Sequence, residues 1–328
     1  MKKKINYLFT FFTILAAILV FLFFLSFPKT IFAGVGTNNV TVITNLTVGN
    51  VYPEILNVSI QDGAATFTLT PNSTTTLRCL AVIRDYNGEA DIKVANSTFF
   101  DTLSSSYGAS NDNNNHYVNS SCTITPSFTS YNGYSDDVYT VLANCTFPIQ
   151  YYANATQWNC TVIVNDSYNW KARGSDLINI SPLLALGLPD FIYYGTVNAT
   201  YVSGENISNV TNYGNIPVNL SLSGYGFRES DNNAMNCTLG AIKNISIQNE
   251  KYNLTIPHTG DYTLTQFIVN YTNLSSAPTV RSFNLDFRHN DAVNEAWNHT
   301  YWRIYVPLGV AGTCQGNIIF GAVQANGV

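Results

Sequence analysis

Two β-prone runs, far apart in the chain, each carry one cysteine near the middle. They are Thr76-Leu77-Arg78-Cys79-Leu80-Ala81-Val82-Ile83 and Gln157-Trp158-Asn159-Cys160-Thr161-Val162-Ile163-Val164. After Cys160 polar and apolar residues alternate, the period of a half-buried strand. A cysteine inside each of two distant strands predicts a disulfide joining two sheets face to face. That arrangement implies an all-β sandwich. It also implies an oxidising compartment, because such bridges do not persist in reducing cytosol.

Six cysteines follow the N-terminal leader: Cys79, Cys122, Cys145, Cys160, Cys237 and Cys314. An even number in an exported chain implies three disulfides. Cys237 and Cys314 stand alone in the C-terminal half and are expected to pair. Among the other four, strand positions favour Cys79–Cys160 across the sheets, with Cys122–Cys145 tying down a loop. Other pairings of these four stay open. There is no Cys-x-x-Cys spacing, which argues against structural zinc.

The leader is Lys2-Lys3-Lys4 followed by an uncharged run of 20 residues, Leu8 to Phe27. This pattern is a secretion signal with a positive start. The run is also long enough to span a bilayer. Ile31-Phe32-Ala33 before Gly34 offers a processing site. Residues 1–33 therefore read as a signal peptide or a signal anchor. Either places the rest of the chain outside, because the lysines stay inside.

Only 11% of the residues are charged, against about 25% in an ordinary soluble domain. The 46% apolar and 13% aromatic content nevertheless supplies a packed core. Beyond the leader, 11 basic residues face 20 acidic ones, a net charge of −9. No basic patch is available for phosphates, so nucleic acid is not expected as a partner.

Asn-x-Ser/Thr triplets without a central proline occur 21 times, where chance gives about 7. The excess predicts N-glycosylation. The candidates in the first part are Asn39, Asn45, Asn57, Asn72, Asn96, Asn119, Asn154, Asn165 and Asn179. In the second part they are Asn198, Asn206, Asn209, Asn219, Asn244, Asn253, Asn270, Asn273 and Asn298. Asn144, Asn159 and Asn236 have a cysteine in the middle of the triplet and are poorer acceptors.

Residues 34–52 form an uncharged, strand-prone N-terminal arm, with a loose Gly34-Val35-Gly36 start and Val40 to Val48 as its strand. Such an arm can complete the sheet of its own domain or add to the edge of the next subunit. Pairing within its own domain is the expected arrangement, since the loop to close is short. Residues 53–180 carry dense strand signals: Ile55–Ile60, Ala65–Thr70, the two cysteine runs and Tyr139–Phe147. Turns are marked at Gln61-Asp62-Gly63, Asn87-Gly88 and Asn132-Gly133. Residues 104–121, centred on Asn111 to His116, read as a long solvated loop. Residues 181–189 are apolar and proline-bounded and read as a linker. Residues 190–328 read as a second sandwich. Its strands are expected at 215–226, 262–269, 280–287, 301–306 and 317–320. No convincing helix is expected after residue 34.

Asp85, Asn87, Glu89 and Asp91 place four oxygen side chains on alternate positions around Gly88. Calcium favours such loops, and Asp112 to Asn115 is a second oxygen-rich stretch. The same residue types also make ordinary turns. Calcium is the one cofactor the sequence suggests. The histidines His116, His258, His289 and His299 fit no metalloprotease motif, and no Gly-x-Ser-x-Gly elbow is present. Cys314, in Gly312-Thr313-Cys314-Gln315-Gly316, is not a nucleophile once oxidised. The six glutamates are scattered. Catalysis is therefore not expected.

The runs Cys79 to Gly88 and Trp158 to Asp166 resemble the B and F strands of immunoglobulin-like repeats in secreted archaeal surface glycoproteins. A lysine-led signal and dense sequons fit that group, and the resemblance covers residues 53–170. Trp158 stands two residues before the second cysteine, where an immunoglobulin domain carries Tyr. The second half is similar in a general way to β-sandwich subunits of surface filaments and coats. The resemblance implies a non-enzymatic structural or adhesive glycoprotein of the cell surface, contacting other surface proteins or copies of itself. Membrane contact would come only through an uncleaved N-terminus. A glycan- or partner-binding module is the alternative, and a secreted hydrolase a third.

Overall fold

β-branched and aromatic residues alternate with Ser, Thr and Asn through most of the chain, a pattern that fits pleated, half-buried strands. The computed structural model describes residues 39–291 and 296–325 and is all-β, with one short helix. The expected leader, residues 1–33, lies outside the described residues.

The first half contains β1 (Glu54–Ile60), β2 (Thr66–Phe67), β3 (Thr74–Arg84), β4 (Ile92–Asp101), β5 (His116–Asn119) and β6 (Thr123–Thr125). It continues with β7 (Ser130–Tyr131), β8 (Tyr134–Ser135), β9 (Thr140–Gln150), β10 (Gln157–Asp166) and β11 (Lys171–Ile180). One sheet has the order β1-β3-β9-β6 and the other β2-β11-β10-β4-β5. All these pairs are antiparallel except β2 with β11. β7 and β8 form a separate hairpin. Its turn, Asn132-Gly133, has positive φ at both residues (48° and 83°), as a tight two-residue hairpin requires.

The core between these sheets is set by alternation. Leu77, Cys79, Ala81 and Ile83 of β3 face inward, as do Val141, Ala143, Cys145, Phe147 and Ile149 of β9. Trp158, Cys160, Val162 and Val164 of β10 meet them. Trp158 is fully buried and stacks on Phe99 at 4.8 Å, with Tyr117 at 5.9 Å. Its indole N–H donates to Asn154 O at 2.8 Å, so the ring is buried without an orphaned donor.

Cys79–Cys160 joins β3 to β10 and so ties one sheet to the other. Cys122–Cys145 anchors the segment leading into β6 to β9. Cys79 and Cys145 are register partners on neighbouring strands, so the two bridges lie side by side.

The second half contains β12 (Leu186–Gly187), β13 (Asn206–Asn212), β14 (Val218–Tyr225), β15 (Asn233–Gly240), β16 (Asn244–Ser246) and β17 (Glu250–Asn253). After α1 (Leu264–Asn270) come β18 (Thr272–Asn273), β19 (Thr279–Leu285), β20 (Trp297–Ile304), β21 (Val310–Gln315) and β22 (Asn317–Gln324). The sheets are β12-β13-β20-β17-β18, β19-β14-β22 and β16-β15-β21. Trp302 is the centre of the core here, fully buried between Tyr252 and Phe320. Cys237–Cys314 is a different kind of bridge, linking register partners β15 and β21 within one sheet.

Several expectations are corrected. Residues 262–269 are not a strand: Thr263 and Gln266 form a reciprocal capping box that starts α1. That box satisfies the helix's first donors and outweighs the β-prone Phe267-Ile268-Val269. The loop 104–121 contains β5, which pairs with β4. The linker 181–189 contains β12, the edge strand beside β13. Val40 to Val48 is not in a strand, and its large apolar residues are exposed.

The chain from Asn50 onward is one compact unit, and polar contacts join its two halves. Asn215 is buried, donates to Ala153 O (2.9 Å) and Ser181 O (3.2 Å), and accepts from Leu183 N–H (2.6 Å). Asp291 accepts from Asn113 and from the Tyr152 hydroxyl, and Arg288 lies over the Tyr152 ring.

The Cys79–Cys160 bridge closes a sequence separation of 81 and Cys122–Cys145 one of 23. Loop-closure entropy then predicts that the double variant C79A/C160A loses about 4–5 kcal/mol and C122A/C145A about 3 kcal/mol. Urea unfolding of the two variants beside the parent protein checks both the losses and their order.

Candidate functional site

The end of β3, the short 3₁₀ turn Glu89–Asp91 and the end of β10 converge at one end of the first sandwich. They bring Asp85, Asp91 and Asp166 together, with one carboxylate oxygen from each lying within 4.8 Å of the others. Asp85 and Asp166 are buried, at 0% and 2% exposure. Asp85 Oδ1 accepts the Asn87 N–H at 2.8 Å. Asp166 Oδ1 accepts the N–H groups of Tyr168 (2.8 Å) and Trp170 (2.7 Å). Its Oδ2 accepts from the Asn50 side chain at 2.7 Å. Asp91 Oδ1 accepts from the Ser167 hydroxyl. Asp85 Oδ2, Asp91 Oδ2 and the Asn50 amide oxygen are buried with no partner. Burial raises the Asp85 pKa, and the neighbouring Asp91 and Asp166 carboxylates push it the same way against the Asn87 N–H.

This arrangement shares Asp85 and Asp91 with the calcium set expected from sequence. Asp85 and Asp91 are in the cluster and Glu89 is not. Asn87 turns its Oδ1 to the Val51 N–H at 2.8 Å. Asp166 was not visible as a member, because 75 residues separate it from Asp91 and nothing local marks it. The Asp112 stretch is a turn: its carboxylate accepts from Asn114 N–H (3.0 Å) and the Asn115 amide (3.1 Å).

The histidines are dispersed. His116 is buried, with Nδ1 near the Ser105 hydroxyl, and burial lowers its pKa. His258 donates its backbone N–H to both oxygens of Glu205. Buried Arg303 lies beside it, donating to Tyr271, Ser203 O, His258 O and Gly260 O. Tyr271 donates to Glu205 in turn. Four Arg303 hydrogen bonds hold these neighbouring segments to β20, which makes the group a structural network.

Among the sequon asparagines, Asn39, Asn45, Asn72, Asn179, Asn198, Asn209, Asn244, Asn273 and Asn298 are exposed. Asn57, Asn96, Asn119, Asn154, Asn165, Asn206, Asn219, Asn253 and Asn270 are half-buried. The amide nitrogen of Asn154 donates to Asp101 (2.8 Å) and Ser104 (3.3 Å), and that of Asn253 donates to Asn270 O (3.1 Å).

A cavity of about 460 Å³ runs beside residues 188–194 in the second half, with Glu250 and Tyr194 in its wall. The Tyr194 hydroxyl donates to Glu250 at 2.9 Å. Burial pushes the Glu250 pKa up to about 7, against the hydrogen bond from Tyr194, and raises the Tyr194 pKa as well.

No family model and no curated protein matches the chain. Among solved structures it is similar to the CsuC–CsuE chaperone–tip adhesion subunit pre-assembly complex of archaic chaperone-usher Csu pili from Acinetobacter baumannii. The identity is 9% and the TM-score 0.36, over 78% of this chain and 96% of that one. It is also similar to a chaperone–tip adhesin complex of CFA/I fimbriae biogenesis, at 10% identity and a TM-score of 0.29, over 82% and 84% of the two chains. The secreted serine protease VesC of Vibrio cholerae matches at 12% identity and a TM-score of 0.20, over 82% of this chain and 51% of that one. At these scores no likeness carries fold or function across.

Glu250 gives the stability a pH signature. Its pKa is about 7 when folded against an ordinary 4.5, so between these values the folded chain holds a proton that the unfolded chain has lost. The contribution of Glu250 to stability is then greatest below pH 4.5, falls as pH rises toward 7 by about 3 kcal/mol, and levels off above it. Glu250→Gln is expected to remove that slope, as read from chemical denaturation at a series of pH values.

Proposed function

We propose that this chain is a non-enzymatic, N-glycosylated structural or adhesive protein of the cell surface, and that copies associate through the N-terminal arm. The observation that carries the reading is the arm itself. From residue 40 to residue 48 every even position is Val, Val, Thr, Leu, Val, and the odd positions are mostly Thr and Asn. That is the alternation of a strand with one apolar face. Yet Val40, Val42, Leu46 and Val48 are exposed, at 49–90%, and the segment pairs in no sheet. A strand of this kind gains most by adding to an open sheet edge, where main-chain hydrogen bonds give affinity and alternate side chains give register. A long edge for it is β22, which pairs only with β14 among the described strands.

Export is supported by the lysine-led leader and by three disulfides with no free cysteine. Glycosylation is supported by the sequon excess and by the exposure of nine acceptor asparagines.

Deleting 35–48 tests the association. The shortened protein is expected to keep the parent's melting temperature and to remain monomeric where the parent assembles, as read by light scattering and electron microscopy. Unchanged assembly would sink the exchange reading, and a large loss of monomer stability would show that the arm serves its own domain. Peptide mass mapping of the exported protein tests the glycan reading separately. Glycans are expected at Asn72, Asn179, Asn198, Asn244 and Asn298, and not at Asn154, whose amide nitrogen is committed to Asp101.

A further inference from the structure

We propose that Asp85, Asp91 and Asp166, with the amide oxygen of Asn50, bind a calcium ion that locks the lead-in segment to the first sandwich. The first reason is unbalanced charge. Three carboxylates converge, two of them buried, and no Lys or Arg pairs with any of them among the described residues. Taking carboxylates out of water without a counter-charge is strongly unfavourable. A divalent cation supplies that charge.

The second reason is the set of unpartnered oxygens. Asp85 Oδ2, on a side chain with no exposure, has no hydrogen-bond donor, and neither do Asp91 Oδ2 and Asn50 Oδ1. Buried oxygens are nearly always paired, so three orphans on side chains that meet at one place point to a missing partner. Each side chain is meanwhile fixed through its other atom: Asp85 by Asn87 N–H, Asp91 by Ser167 and Asn50 by Asp166. The free oxygens are thus held in place before any ion arrives.

The third reason is size and chemistry. The ligands are all hard oxygens, which select Ca²⁺ or Mg²⁺ over zinc or copper. The carboxylate oxygens lie within 4.8 Å of one another, close enough for Ca²⁺–O bonds of about 2.4 Å to bridge them, and a set drawn from several protein oxygens suits Ca²⁺ better than Mg²⁺, which keeps several of its waters. The consequence for the fold is local. Val51 N–H is already held by Asn87, and Tyr52 stacks on Trp170 at 4.2 Å. An ion shared by Asn50, the end of β3 and the end of β10 would fix the place where the chain joins the sandwich.

The exported protein, stripped with a chelator, provides the test. At about 10 mM Ca²⁺, roughly 100-fold above a Kd of about 10⁻⁴ M, the melting temperature is expected to rise by about 5–10 °C. Terbium bound in place of calcium is expected to luminesce when the aromatic residues are excited, because Trp170 adjoins Asp166, and calcium should quench the signal. D85N/D91N should lose both responses, while Asp112→Asn should keep them. The parent protein decides the matter even if the double variant folds poorly. A parent melting temperature indifferent to calcium, with no calcium-quenched terbium signal, would overturn the proposal. An equal rise with Mg²⁺ alone would overturn the assignment to calcium.

Discussion

The Cys79–Cys160 bridge and Trp158 beside it are the centre on which the first sandwich depends. The bridge lies in the middle of β3 and β10, so it fixes the spacing of the two sheets where their inner faces are densest. Trp158, two residues before Cys160 on the same face, fills the space next to it with Phe99, Phe147 and Tyr117. A strand's period of two makes this placement obligatory: a residue that slips by one would turn both the sulfur and the ring to solvent. The second half lacks a bridge between sheets, since Cys237 and Cys314 are partners within one sheet. There the corresponding central position is taken by Trp302 alone, with its N–H on Thr300 at 2.8 Å.

How much of this could be read from residues follows from what is local. The cysteine runs and the Asn132-Gly133 turn are visible because alternation and turn chemistry act over a few residues. β4 and β11 were passed over because their outward faces are polar and their inward faces are interrupted by Ser97, Asp101 and Gly174. Gly174 is needed there, since a Cβ would lie 2.7 Å from Ile55. α1 was missed although Thr263-x-x-Gln266 announces it, because a β-prone run was allowed to outvote the cap. Asp166 is the instructive case at the acidic cluster. The local string Asp85 to Asp91 names two of the carboxylates, but the third arrives only through the pairing of β10 with β4 and β11, which no local pattern encodes.

With few charges available, the chain holds its loops with neutral amides. Asn212 is buried and bonds Gly214 N–H, Ile216 O, Leu285 O and Asp286 O, acting as a small piece of backbone where no strand reaches. Asn215 does the same between the two halves, and Asn219 accepts both Phe283 and Asn284 N–H on an irregular edge of β14. An amide supplies two donors and an acceptor without the desolvation penalty of an ion. The described ion pairs, by contrast, are partly or largely exposed and contribute little. Stability on this plan depends little on salt.

That economy of charge makes the acidic cluster anomalous. Two other carboxylates in this chain are well supplied with neutral donors. Asp101 takes Ser104, Asn154, Thr156 and the Leu103 N–H, and these donors outweigh its burial and hold its pKa low. Asp231 is treated the same way by four backbone N–H groups. At Asp101 and Asp231 the fold quiets an acid with neutral donors alone. At Asp85 and Asp91 it leaves one oxygen of each bare, on side chains that meet a third carboxylate. Two neutral donors in place of these contacts would be enough to remove the strain. An ion resolves the contrast, because it is the one partner that favours all three charges together and joins the segment before β1 to the strands on either side of the core.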